Sequence, residues 1–464
     1  MIFIIRCIVL LLFLSYLEPV SSYTVQNGKI IANGSVLNIQ GVNWFGFETK
    51  DHTLHGLWVR NWQDMISQIK GLGFNAVRLP VCPDTLHNNA MTSINYNYNP
   101  ELQGINSLDF LDKVVNELDR QGIYIVLDHH NPDCDKISEL WYTENYSEQA
   151  WMDDLVFMAA RYRNIRHFMA IDLKNEPHGV ATWGAGNVAT DWNTAADKAA
   201  TAVLAANPEL LIFVEGIADT GYCSNNSNGH FWGGNLEPVK CAALNIPAHK
   251  LVFSPHVYGP DVFFQTYFGD SSFPANMPDI WDAHFGYLKN AGYTVIIGEF
   301  GGRYGHGGNS LDYTWQNAFV DYLIARKISD FFYWSWNPNS GDTGGILQDD
   351  WQTVWSDKMQ LLQRLASCCS TPELLVVSPQ IQCTGGSITP NVPQVVTSGS
   401  NISFSLIPNS GYVFKSVGGT CPVGHLVDNV WHTGSITADC SINFCFSCLE
   451  CMSGSSWKKL LLSQ

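Results

Sequence analysis

Between Tyr23 and about Ser367, short runs of β-branched and aromatic residues alternate with longer stretches of helical periodicity, the pattern of repeated βα units. The strand-like runs are Val36 to Trp44, Asn75 to Val81, Ile123 to His130, Phe168 to Glu176, Leu210 to Glu215, Leu251 to Tyr258, Thr294 to Phe300 and Asp330 to Asn337. Amphipathic stretches follow them: Trp62 to Leu72, Ser107 to Gln121, Ser147 to Arg163, Thr190 to Ala206, Ile280 to Ala291, Tyr313 to Ala325 and Trp355 to Leu365. The fifth connection is the loop-rich exception. Eight strands with crossover helices predict an α/β fold, a (β/α)8 barrel, whose functional groups stand at the C-terminal ends of its strands. An open doubly wound sheet is the rival. It favours a glycine-rich phosphate turn after its first strand, whereas the first run here ends Asn43-Trp44-Phe45-Gly46 with no such turn.

Past Cys368-Cys369 helical periodicity stops. Short alternating runs, Asn401 to Leu406, Tyr412 to Val417 and Ile442 to Phe446, sit between Gly, Pro, Asn and Ser clusters and predict a small all-β, Ig-like sandwich. So thin a core is helped by a staple such as Cys421 to Cys440. The organisation expected is a leader over 1–22, a barrel over 23–367, a β-module over 368–446 and an unread tail over 447–464.

The leader reading rests on Arg6 before an apolar run from Cys7 to Leu17, with Val20-Ser21-Ser22 as small residues ahead of a cleavage before Tyr23. The run is too short to span a membrane, so a secreted, extracellular chain free of the membrane is expected. Cysteine usage agrees: of 13 cysteines, one lies in the leader, and the even remainder in an exported chain points to disulfides. A net charge of −17 with 25 basic residues argues against a nucleic-acid partner. Sixteen tryptophans exceed the needs of an ordinary core and suit the stacking of sugar rings.

The polar residues closing the strand-like runs carry the candidate chemistry. Arg78 closes the second, His130 the third, Asn175-Glu176 the fourth, His256 and Tyr258 the sixth, Glu299 the seventh and Trp334 the eighth. Around one mouth they supply what glycoside hydrolysis needs: two carboxylates, donors for sugar hydroxyls and an aromatic floor. An apolar setting would keep Glu176 protonated as general acid, and Arg78 near Glu299 would keep that carboxylate charged as the attacker. Asn175 is placed to bond the hydroxyl beside the reacting carbon. His256 and Tyr258, two apart, share a strand face, as do Trp334 and Trp336.

These residues lie in stretches that resemble the cellulase branch of glycoside hydrolase family 5. The stretches are Gly41-Val42-Asn43-Trp44-Phe45-Gly46-Phe47-Glu48, His55-Gly56-Leu57-Trp58, Asn75-Ala76-Val77-Arg78-Leu79-Pro80, Leu127-Asp128-His129-His130, Asp172-Leu173-Lys174-Asn175-Glu176-Pro177-His178, Gly298-Glu299-Phe300-Gly301 and Trp334-Ser335-Trp336-Asn337-Pro338. The resemblance implies a retaining endo-β-1,4-glucanase acting on cellulose-like β-glucan, with Glu176 as acid/base and Glu299 as nucleophile. It further implies that Arg78 and Tyr258 hold the nucleophile, that His256 stands beside the acid, and that His130, Asn175, Trp58 and Trp334 contact the sugar. No cofactor or metal is implied, and a monomer is expected. A β-mannanase or xyloglucan-cutting glycosidase would use the same ring with other subsites; a non-catalytic carbohydrate-binding barrel would be expected to lack one glutamate.

Lys174 is a departure, since the position before the Asn is often uncharged in similar enzymes. Cys82 and Cys134 follow the second and third strands, and a bond between them would brace neighbouring loops; Cys223 to Cys241 would do the same for the long fifth loop. The C-terminal module resembles the Gly-Tyr-containing β-repeats of bacterial surface and secreted proteins through Asn409-Ser410-Gly411-Tyr412 and Gly434-Ser435-Ile436-Thr437. A spacer role is favoured over sugar binding, for which an exposed aromatic such as Trp431 would be needed.

Overall fold

A computed structural model describes residues 21–134, 136–218, 230–368, 374–397, 400–436 and 438–449. The chain divides into two compact units, Met1–Cys369 and Ser370–Gln464.

The first unit opens with an antiparallel sheet of β1 (Tyr23–Gln26), β2 (Lys29–Ala32) and β3 (Ser35–Leu37). The run expected as one strand from Val36 to Trp44 is therefore two, because β3 ends the small sheet before β4 (Gln40–Asn43) begins the barrel. The barrel continues with β5 (Ala76–Val81), β6 (Tyr124–His129), β7 (Phe168–Asp172), β8 (Leu211–Val214), β9 (Leu251–Phe253), β10 (Ile297–Phe300) and β11 (Phe331–Tyr333). Neighbours pair in parallel from β4 to β9, and β10 and β11 return to β4. Parallel bridges Phe253 to Val295 and His256 to Glu299 join the remaining edges, so the cylinder closes.

Parallel strands covered on both faces need continuous apolar runs, and β5, β7, β8 and β10 are buried at every position. Tyr23 and Ile30 of the small sheet, with Ile39 just beyond it, pack with Ala76, Val126, Met169 and Val252. The outer layer is helical. Trp62–Gly71 starts where the Asn61 side chain accepts the N–H groups of Gln63 and Asp64, and Glu148–Arg161 starts where Ser147 accepts from Ala150; both supply acceptors to amides with no partner inside the helix. The first buries Trp62, Met65, Ile66 and Ile69, with Trp62 packed edge-on to Phe110.

A disulfide joins Cys82 to Cys134 across the loops after β5 and β6, as expected from their places in the sequence. Cys223 lies outside the described residues, and so does the leader up to residue 20.

The second unit is all β: β12 (Leu374–Ile381), β13 (Gly386–Thr389), β14 (Gln394–Thr397), β15 (Ser403–Pro408), β16 (Tyr412–Gly419), β17 (His425–Val427), β18 (Val430–His432) and β19 (Cys440–Cys448). They form sheets ordered β14-β12-β19-β16 and β13-β15-β18-β17, around Val377, Phe404, Ile442 and Phe444. Cys421 bonds Cys440 as expected, and a further bond joins Cys383 to Cys445. The last strand runs to Cys448, past the boundary expected at 446. Trp431 packs half-buried on this core, so it is not a free stacking surface.

Candidate active site

Arg78 lies within β5 and Glu299 within β10, but other strands stop short of the chemistry. β7 ends at Asp172, β9 at Phe253 and β11 at Tyr333, although the apolar runs had been expected to continue through Glu176, Tyr258 and Asn337. Past those points regular pairing gives way to isolated backbone contacts, such as the His256–Glu299 bridge, and side chains turn over the mouth. Glu176 does so with φ 51°, in the left-handed region that a residue with a Cβ enters only when its surroundings hold it there. The lost ladder also removes strict alternation. Trp334 lines the central cavity, whereas Trp336, expected on the same face, is fully buried in the outer core.

The cavity has a volume of about 450 Å³ and is lined by His130, Asn175, Glu176, Tyr258, Glu299 and Trp334. Glu176, Glu299 and His256 bring an oxygen or ring nitrogen each within 4.8 Å of one another, so the two carboxyl groups face each other closely. His256 Nδ1 is 3.1 Å from Glu176 Oε1 and 3.4 Å from Glu299 Oε2. Glu299 is fixed at both oxygens: Arg78 Nη1 donates to Oε1 at 2.5 Å and the Tyr258 hydroxyl donates to Oε2 at 2.6 Å.

Arg78 is completely buried and organises the rest. Asp128 and Asp172 lie 3.1 Å from it and Glu215 3.3 Å, and Asn175 Oδ1 accepts from its Nη2 at 3.1 Å. Burial opposes the guanidinium charge, but Asp128, Asp172, Glu299 and Glu215 outweigh it and hold the arginine protonated. Burial pushes the carboxyls of Asp128 and Asp172 up to about 6, against the pull of Arg78.

Burial likewise raises the Glu176 carboxyl, with the His256 hydrogen bond opposing and the Glu299 charge adding. Burial works against a charged His256 ring, yet Glu215, Glu299 and the contacts to Glu176 and Glu215 carry it well above the imidazole range. Glu215 is itself pushed up by burial, with His256 opposing. Both Glu215 oxygens accept N–H groups, which stabilises the carboxylate and favours a proton on His256. Burial also drives His130 well below its ordinary value. Its Nδ1 sits 2.5 Å from Asp128 Oδ2, which makes Nδ1 the donor of a neutral ring and leaves Nε2 as an acceptor.

Trp334 is held in place by near-parallel rings, Phe45 at 5.4 Å and 8° and His130 at 5.9 Å and 12°. Trp58 is not part of this cavity. It stands edge-on to Trp351 in a more open groove with Ser93, Ile94, Asn95, Tyr96 and Asn97. Lys174 does not line the cavity: it is fully buried, its Nζ donates to the Asn175 carbonyl, and burial lowers it to about 8.

Three buried carboxylates, Asp128, Asp172 and Glu215, were not singled out by the sequence reading. The signal existed: each interrupts or directly follows an apolar strand run, where a charge survives only with a partner. Trp232 was missed as well; it lines the mouth, stacked on His178 at 3.8 Å.

A closed parallel barrel with paired carboxylates, a tryptophan and polar side chains lining its mouth is the arrangement of the glycoside hydrolase class. Residues 35–340 match the model of the cellulase family, glycosyl hydrolase family 5, and the chain belongs to that family. It is 57% identical over 350 residues to the major extracellular endoglucanase of Xanthomonas campestris pv. campestris, covering 75% of this chain and 72% of the relative. It is 44% identical over 353 residues to an endoglucanase of Paenibacillus polymyxa, covering 74% and 86%. Among solved structures, the catalytic domain of the Xanthomonas enzyme superposes with a TM-score of 0.72, covering 74% of this chain and 99% of that one. A variant of the Pyrococcus horikoshii endocellulase in complex with cellotetraose superposes with a TM-score of 0.73 at 48% identity, covering 74% and 98%.

Proposed function

We propose that the protein is a secreted, retaining endo-β-1,4-glucanase that cleaves internal bonds of cellulose-like β-glucan. The observation that carries the reading is the approach of Glu176 and Glu299, whose nearest oxygens lie within 4.8 Å. A separation of about 5–5.5 Å leaves room for a sugar carbon but not for an intervening water, which inverting enzymes need about 6.5–9.5 Å to hold.

In the first step Glu299 attacks the anomeric carbon while Glu176 gives its proton to the departing glycosidic oxygen. The His256 Nδ1–H bonds Glu176 Oε1, so the acid carries its proton on Oε2. In the second step Glu176 takes a proton from water, which displaces Glu299 and restores the starting state. Arg78 and Tyr258 hold the Glu299 carboxylate in the line of attack. With its Oδ1 taken by Arg78, Asn175 offers its amide N–H groups to the neighbouring hydroxyl, a bond that strengthens as positive charge develops on the sugar. The endoglucanases among the relatives support the substrate class. The extracellular relative, the described disulfides and the apolar leader support secretion; no described helix is long and apolar enough to cross a membrane.

Hydrolysis of a soluble cello-oligosaccharide followed by proton NMR tests the reading. The β-anomer is expected first; initial release of the α-anomer would refute retention. Faster reducing-end release from galactomannan than from carboxymethylcellulose would replace the glucanase assignment with a mannanase one.

A further inference from the structure

Glu215 directly follows β8 and takes no step in the reaction above. Its side chain is fully buried and touches three partners. Oε2 accepts the backbone N–H of Glu176 at 2.8 Å. Oε1 lies 3.1 Å from His256 Nε2 and 3.3 Å from Arg78 Nη2. Two of these contacts converge on the proton donor, one through its backbone and one through the ring that bonds its carboxyl.

The local backbone shows why such a hold is needed. Glu176 sits at φ 51°, and a left-handed residue with a Cβ relaxes unless something fixes its peptide groups. Its N–H points at Glu215 rather than at a backbone carbonyl. The chain that covers this carboxylate has made room for it. A Cβ at Gly233 would lie 2.1 Å from Glu215 Oε2 and 3.2 Å from Glu176 Cα, and Gly233 itself has φ 68°. Both demands select glycine at that position.

We infer that Glu215 is a positioning residue for the proton donor: seated beneath Gly233, it pins the left-handed turn at Glu176 and aligns His256 so that Nδ1 meets the Glu176 carboxyl. The inference rests on the proposed acid/base role of Glu176. Arg78 and Asp172 are the other charged groups against Glu215, and Lys174 faces it across the turn; Arg78 ties the clamp to the Glu299 side.

Glu215→Gln keeps the shape but replaces one acceptor with an NH2 group. Since donors face both oxygens, one contact must be lost. Turnover of a β-1,4-glucan is expected to fall on the order of a hundredfold with KM little changed. Turnover of an aryl cellobioside with a good leaving group, which needs little protonation, should fall about tenfold less. Gly233→Ala, which displaces the carboxylate from the opposite side, should give the same split. Glu176→Gln is run beside them on both substrates. If Glu176→Gln damages both equally, the acid/base reading fails. If it shows the split while Glu215→Gln and Gly233→Ala damage both equally, or neither, the positioning inference is overturned and the acid/base reading stands. In the unmodified enzyme, 15N NMR at pH 7 should find His256 protonated at both nitrogens; an unprotonated Nε2 overturns the inference whether or not the variants fold.

Discussion

At the floor of the barrel Tyr23, Ile30 and Ile39 meet Ala76, Met169 and Val252, all apolar and buried. A few residues further along the same cylinder sit Arg78, Asp128, Asp172, Glu215, His256 and Glu299, all polar and equally buried. The floor gains stability from each apolar group removed from water. The mouth loses solvation with each charge and recovers it only through partners, so no member can be removed without stranding another. One end of the fold is an ordinary core, and the other is a charge network that the core must hold in place.

That contrast is open to direct attack. The largest expected effect is Glu299→Gln, which keeps the side-chain shape but removes the charge proposed to attack the sugar; turnover should fall at least about a thousandfold with oligosaccharide binding retained. A remaining rate above about 1% of the unmodified enzyme would point to another nucleophile. Next is Arg78→Met, which strands four carboxylates and should cost about 3–5 kcal/mol in denaturant unfolding; a loss below about 1 kcal/mol would mean the mouth is less tightly coupled than its distances indicate. Replacing Cys82 and Cys134 together by Ser releases a closed loop of 52 residues and should lower stability by about 4 kcal/mol or less, with the loss of order concentrated in the mouth loops in hydrogen exchange. At the floor, Ile30→Ala should cost about 2–5 kcal/mol yet leave kcat per folded molecule unchanged; a fall in kcat would show that the two ends are not independent. The smallest effect is in pH. Burial raises the Glu176 carboxyl, so it stays protonated above the ordinary carboxylate range and activity is lost as pH rises through its pKa. The alkaline limb of kcat/KM should disappear in Glu176→Gln assayed on an activated aryl glycoside.

The barrel itself was legible in the chain because its strands are covered on both faces and read as unbroken apolar runs. Glu299 and Arg78 were legible because each stands in or beside such a run. The ends of β7, β9 and β11 were misplaced for the same reason: an apolar run shows that a segment is buried, not whether it still pairs. Trp336 followed this error, placed beside Trp334 by an alternation that the strand no longer obeys.

Sequence by itself determined the alternation of strands and helices, the change of texture near residue 368, and the residue types brought to the strand ends. It also placed Cys82 and Cys134 after adjacent strands. Tertiary structure alone decided that Asp128, Asp172, Glu215 and Glu299 meet on one guanidinium, that Trp58 stands in a groove apart from Trp334, and that Cys383 meets Cys445. The physical reason is that periodicity is a property of neighbours along the chain, whereas these meetings depend on closure of a cylinder, which brings together residues from strands far apart in sequence.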